Sequence, residues 1–199
     1  MPLLEHEGKS PQIDATAYVA PTATVCGDVV IGANSRVMFG ASVIAGGGRI
    51  LIGDSCIVME NAVIRSTVSH STSIGDHSLV GPNAHLVGCS LEQECFVATG
   101  AAVFHGAVLE KGSELRVNGV VHLKSRLAAG MTVPIGWIAV GDPARILAPD
   151  QHDAIWKIQE PLDFPLTAYG IARDEADMRA ITERISARLS THREDNLIS

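Results

Sequence analysis

From Leu91 to Val133 an aliphatic residue recurs at every sixth position: Leu91, Val97, Val103, Leu109, Leu115, Val121, Leu127 and Val133. Two residues before each recurrence stands a small or thin side chain, in turn Cys95, Ala101, Ala107, Ser113, Gly119, Ser125 and Met131. An α-helix repeats about every 3.6 residues and a strand about every two, so neither accounts for this period. Hexads set end to end describe a coil with three short faces. The inward aliphatics of such coils stack on one another, which predicts an all-β solenoid.

The same period opens the chain at Ile13, Val19, Val25, Ile31, Val37 and Val43, resumes at Ile52, Val58 and Ile64, and again at Ile74, Val80 and Leu86. Two interruptions, residues 44–51 and 65–73, read as loops thrown out from corners of the prism. Loops carry function more often than the scaffold beneath them. Aromatic residues make up only 4% of the chain, as a core of thin stacked side chains requires, and the 19 glycines suit a fold that turns at every corner.

The repeat fades near Ile138, so residues 1–148 read as the solenoid and residues 149–199 as a helical extension packing on it. A solenoid end leaves unpaired backbone and bare core, which calls for a cap. Residues 150–159 suit a short helix carrying Trp156, broken by Pro161 and Pro165. Residues 174–189 place Met178, Ile181, Ile185 and Leu189 on one stripe at helical spacing. There, Glu175 and Arg179 would form an i,i+4 pair and Arg188 would face the negative end of the helix dipole. Residues 191–199 read as a frayed end.

The formal net charge of −7 argues against nucleic-acid binding, which needs clustered Lys and Arg. No apolar run is long enough to span a membrane, and the first residues lack the basic-then-apolar pattern of a secretory leader. The four cysteines, Cys26, Cys56, Cys89 and Cys95, show no CxxC spacing, and Cys56 and Cys95 fall on inward positions. Buried thiols and a cytoplasmic location are therefore expected.

Three motifs carry a resemblance over about residues 10–160: IGDSCIVMENAVIR (52–65), IGDHSLVGPNAHLVGC (74–89) and VGDPARIL (140–147). Together with the two interruptions, they resemble the γ-class carbonic anhydrase-like family of hexapeptide-repeat proteins. The period alone does not fix handedness; the resemblance implies a left-handed parallel β-helix. It also implies a homotrimer, with zinc held between subunits by three histidines. The segment around Trp156 is similar to the branch tied to phenylacetate and carnitine operons, in which some members are credited with thioesterase action.

The three implied zinc positions hold Arg65, Pro82 and Val87 here. The family's Arg-Gly-Asp becomes Ala45-Gly46-Gly47, and its Asn-Ile-Gln-Asp becomes Ile57-Val58-Met59-Glu60. Zinc is therefore not expected, nor is carbonic anhydrase activity. Arg65 would instead sit at the inter-subunit cleft. It could grip a small anion, or pair with Glu60 or an acid across the interface. His85 reads as a corner or surface residue. His105 and His122 lie on the next two coils and could rebuild part of a metal site, for which His85 is a further candidate. His70, in the second interruption, is a candidate general base.

Three functions remain open. The first is a zinc-free trimer that binds or acts on a small anionic metabolite through Arg65 and Glu60. The second is a transferase or thioesterase acting on acyl-CoA or other acyl thioesters, with His70, His105 or His122 as base; VGDPARIL resembles a segment near the CoA groove of hexapeptide acyltransferases. The third is a non-catalytic structural subunit. No cofactor is required by the first or third, and CoA would be the ligand of the second.

Overall fold

A computed structural model describes residues 2–198. The chain winds as a left-handed parallel β-helix of about eight turns, followed by short C-terminal helices. Three parallel sheets form the faces of the prism, and the inward hexad residues stack in register along each. On one face Val25, Val43, Ile64, Leu86, Val103 and Val121 are successive partners. Ile31, Ile52, Ile74, Leu91, Leu109 and Leu127 follow on the second. Val19, Val37, Val58, Val80, Val97, Leu115 and Val133 line the third. All are buried, and each fully buried aliphatic contributes about 1.5–3 kcal/mol.

Thin residues fill the corners. Ser35, Cys56, Ser78, Cys95 and Ser113 are all buried. The Ser35 hydroxyl accepts from the Cys56 N–H and donates to the Gly53 carbonyl. Ser78 accepts likewise from the Cys95 N–H. The four cysteines are unpaired and buried, Cys56 and Cys95 on the inward positions their spacing predicts.

The two interruptions are not thrown-out loops. They lengthen the strands instead. Ser42–Gly46 and Val63–Thr67 pair over five residues, from Ser42 beside Val63 to Gly46 beside Thr67. Thr67 and His70 then bridge each other across a tight turn. Only the turn residues project, with Val68 exposed at the tip. The extra residues satisfy their backbone groups on each other rather than in water.

The sheet carrying residues 63–67 is capped at both ends by antiparallel strands. Arg145–Leu147 folds back on Ile138–Val140, just after the turn at Gly141 and Pro143. Helix α1 (His152–Gln159) packs Ile155 against Val140 and Leu147 there. Helix α2 (Phe164–Tyr169) follows, with Pro165 in its first turn; it was not foreseen, because Pro165 read as a breaker rather than a starter. Helix α3 (Met178–Leu189) starts four residues later than the sequence pattern suggests, with the Asp177 carboxylate accepting from the Ala180 N–H. Glu175 is thus outside the helix, and Arg179 pairs with Glu183 instead. Ile181 and Ile185 are half-buried, while Met178 and Leu189 are exposed.

The end is not frayed either. Ser190–Glu194 forms a 3-10 turn and Asn196–Leu197 pairs antiparallel with Leu3–Glu5. Such pairing covers the edge strand of the first coil. The Asp195 carboxylate ties this end down, 2.6 Å from His6 Nδ1 and 2.8 Å from His192 Nδ1. Burial and that carboxylate push the neighbouring Cys26 thiol up to about 12. The C-terminal segment therefore runs from the last coil to the first. Among the described residues no helix is long and apolar enough to cross a membrane.

Candidate functional site

One outward column of the capped sheet is built by register. Ile44, Arg65 and Val87 are direct partners, and backbone hydrogen bonding carries the column on through Phe104 to His122. Outward side chains in one column lie side by side. The C-terminal helices cross above them, and the space between is a cavity of about 290 Å³. Arg65, His85, Val87, Phe104 and His105 form its floor and edge. Phe164 and Tyr169 from α2, with Ile185 and Arg188 from α3, form its roof. Floor and roof of this cavity come from a single chain.

Charge in this cavity is one-sided. Two guanidinium groups, Arg65 and Arg188, line it together with two imidazoles, and no carboxylate does. Among the described residues neither arginine has an ion-pair partner. Arg65 does not meet Glu60, which lies at another corner and is outside the cavity. The remaining wall is aromatic: Phe104 and Phe164 meet edge-on with centroids 6.3 Å apart, and Phe164 meets Tyr169 at 5.7 Å.

The imidazoles stay neutral near pH 7. His105 is 7% exposed. Burial, then the neighbouring His70, His85, Arg188 and Arg65, push it down to about 4. His85 is lowered by burial and by Arg65, His70 by burial and by Lys124, and His122 by burial. The Nδ1 atoms of His70, His105 and His122 are buried without a protein hydrogen-bond partner among the described residues. A neutral imidazole in a cationic pocket is an acceptor for a proton or a hydrogen bond from a ligand.

The candidates from the sequence separate in space. His85 lies not at a corner but at the start of the strand His85–Val87, where it is exposed and lines the cavity. His70 lies behind His105, their rings edge-on at 5.6 Å, and outside the cavity lining. Gly88 makes this possible. Its φ is +57°, and a Cβ there would come within 2.6 Å of the His70 Cβ. His122 packs at a tilt against Phe104 and Phe164, with ring centroids 5.9 and 6.4 Å apart. Phe164 and Tyr169 carry no signal in the sequence and Arg188 stands out there only as a charge near a helix end, since nothing in their spacing ties them to the solenoid residues across the cavity.

Arg65, Pro82 and Val87 carry no side-chain atom suited to a zinc ion. Among the described residues His85, His105 and His122 do not assemble a three-ligand group; the group that does, His6, Cys26, His192 and Asp195, lies at the first coil.

Comparison with known proteins adds the lineage. Gamma carbonic anhydrase 1, mitochondrial, from Arabidopsis thaliana is 33% identical over 145 residues, covering 70% of this chain and 50% of that protein. This similarity supports a γ-carbonic anhydrase-like family of hexapeptide-repeat proteins. Carnitine operon protein CaiE from Escherichia coli K12 is 26% identical over 152 residues, covering 76% of this chain and 74% of that protein. A solved hexapeptide transferase family protein from Anaplasma phagocytophilum shares 27% identity at a TM-score of 0.55, covering 92% of this chain and 96% of that one. The chain spans about half the length of the first carbonic anhydrase relatives it matches. No protein-family model matches it.

Proposed function

We propose that this member of the family has lost the ancestral zinc site and binds a small organic anion with an apolar body in the cavity beneath the C-terminal helices. One observation carries the reading. In a chain of net charge −7, the cavity holds two unpaired guanidinium groups and no carboxylate. Arginine grips a carboxylate or phosphate through paired donors, and its charge persists at any working pH. Phe104, Phe164 and Tyr169 would pack against the ligand's apolar part, and His105, held neutral, would accept a hydrogen bond or a proton. At about 290 Å³ the cavity suits a metabolite rather than a polymer.

A homotrimer is part of this proposal, since the family resemblance implies it and Phe39 and Val68 leave apolar surface exposed. The buried, unpaired cysteines support a reducing, cytoplasmic setting. A second reading is transfer or hydrolysis of an acyl thioester, with His105 as base. The neutral imidazole beside two arginines favours it, as does the likeness to a hexapeptide transferase family protein.

A thermal-shift screen tests both. Short aliphatic and aromatic carboxylates, phosphate esters, CoA and acetyl-CoA are each added to the full chain. A ligand that binds only the folded state raises Tm by mass action. Stabilisation by carboxylates that vanishes in Arg188→Ala supports anion binding. Stabilisation by CoA alone favours the thioester reading. No shift with any compound leaves a structural subunit and refutes both.

A further inference from the structure

Away from the cleft, four side chains from three distant segments meet at the first coil. His6 follows the first strand, Cys26 ends the strand beside it, and His192 and Asp195 come from the tail. One ligand atom of each lies within 4.8 Å of every other. Both imidazoles direct Nδ1 at the Asp195 carboxylate, and their rings stack with centroids 4.3 Å apart at 21°. Cys26 Sγ lies 3.4 Å from the same carboxylate. His6 and Cys26 are buried, at 5% and 2% exposure.

We propose that His6, Cys26, His192 and Asp195 form a four-coordinate site for a divalent transition-metal ion, zinc first among them, that fastens the C-terminal segment to the first coil. The donor set is one thiolate, two imidazoles and one carboxylate, and four N, S and O ligands of this kind make a closed structural zinc site. Charge also balances. A dication with one thiolate, one carboxylate and two neutral imidazoles is net neutral, as a buried site requires. On binding, the Cys26 thiol gives its proton to solvent and the sulfur–metal bond forms. The imidazoles carry their remaining proton on Nε2, and Asp195 exchanges hydrogen bonds for the metal.

The ligand atoms must move apart to admit the ion. Bonds of about 2.0–2.3 Å set ligand separations in a tetrahedron of roughly 3.3–3.7 Å. The Sγ–carboxylate distance already meets this, and the two Nδ1–carboxylate distances must open from 2.6 and 2.8 Å. The tail can provide that movement, because His192 lies in a short 3-10 turn that Asp195 ends, with side chains 28% and 11% exposed. The alternative occupant of the same geometry is a proton-linked latch with no metal.

Purified full-length protein, stripped with a chelator, is titrated with Co²⁺ and then Zn²⁺. The proposal expects one cobalt per chain, a thiolate-to-cobalt charge-transfer band and a rise in Tm, all displaced by zinc. Cys26→Ser removes the band. Asp195→Asn and His192→Ala weaken the affinity by about tenfold or more, and His105→Ala changes none of these. If Cys26→Ser does not fold, His192→Ala gives the same reading through affinity. Failure to bind one equivalent of either metal overturns the proposal in favour of the latch. A charge-transfer band that survives Cys26→Ser, or is lost in His105→Ala, overturns it as well.

Discussion

His105 should make the fold acid-sensitive well above the range in which carboxylates titrate. Its pKa falls from an ordinary 6.5 to about 4 on folding, chiefly through burial and then through the cationic groups around the cleft. The unfolded chain therefore binds the proton more tightly. The stability this imidazole contributes is fully present above pH 6.5 and is lost as pH falls toward 4. By pH 5 the accumulated difference is about 2 kcal/mol. His105→Phe keeps a ring in the site and removes a buried Nδ1 that has no protein partner, so it should cost little at neutral pH. Urea unfolding at pH 7.5 and pH 5, at one fixed protein concentration, measures the effect. Wild type should lose about 2 kcal/mol more than His105→Phe between the two values, seen as a midpoint falling by about 1 M further. His122 titrates alike in both proteins and cancels, while His70 and His85 enter the difference through their coupling to His105. Equal losses would refute the argument that His105 is held neutral by its surroundings.

Truncating Leu109→Ala in the fully buried second column should cost about 3–5 kcal/mol in urea unfolding, because neighbouring coils cannot close the gap. Gly88→Ala places a Cβ against His70 at positive φ, so it should destabilise by about 1–3 kcal/mol; the His70 ring resonances in NMR should shift with it. Asp195→Asn removes the negative charge and one of the two oxygens that accept from His6, His192 and Cys26, so amide exchange at residues 190–198 should accelerate while the central coils stay protected. Light scattering should return three times the 21.0 kDa chain mass if the trimer forms.

Much of the fold was legible because the hexad is a one-dimensional signal. Each of Val97, Leu109 and Leu127 needs only its own position to be assigned an inward face, and the register follows. The interruptions misled for the same reason. A break in the period shows where residues are added, but not that Ser42–Gly46 and Val63–Thr67 spend them on a longer shared ladder. The tail carries no such signal. Leu197 finds its place only against Leu4, and Asp195 only against His6, 189 positions away. In the cleft, Arg65 was legible as the residue at a zinc position that the resemblance implies. Arg188 was visible only as a charge near a helix end, since its role depends on where α3 lands on the sheet.

Under the proposed function, two arginines rather than a metal define the ligand of this cleft. Calorimetric titration of the most stabilising carboxylate from the screen tests it directly, in wild type, Arg65→Ala and Arg188→Ala. One site per chain is expected, with affinity falling about tenfold or more in each variant as a charge-assisted contact worth about 1.5–3 kcal/mol is lost. Unchanged affinity in both variants would contradict the account.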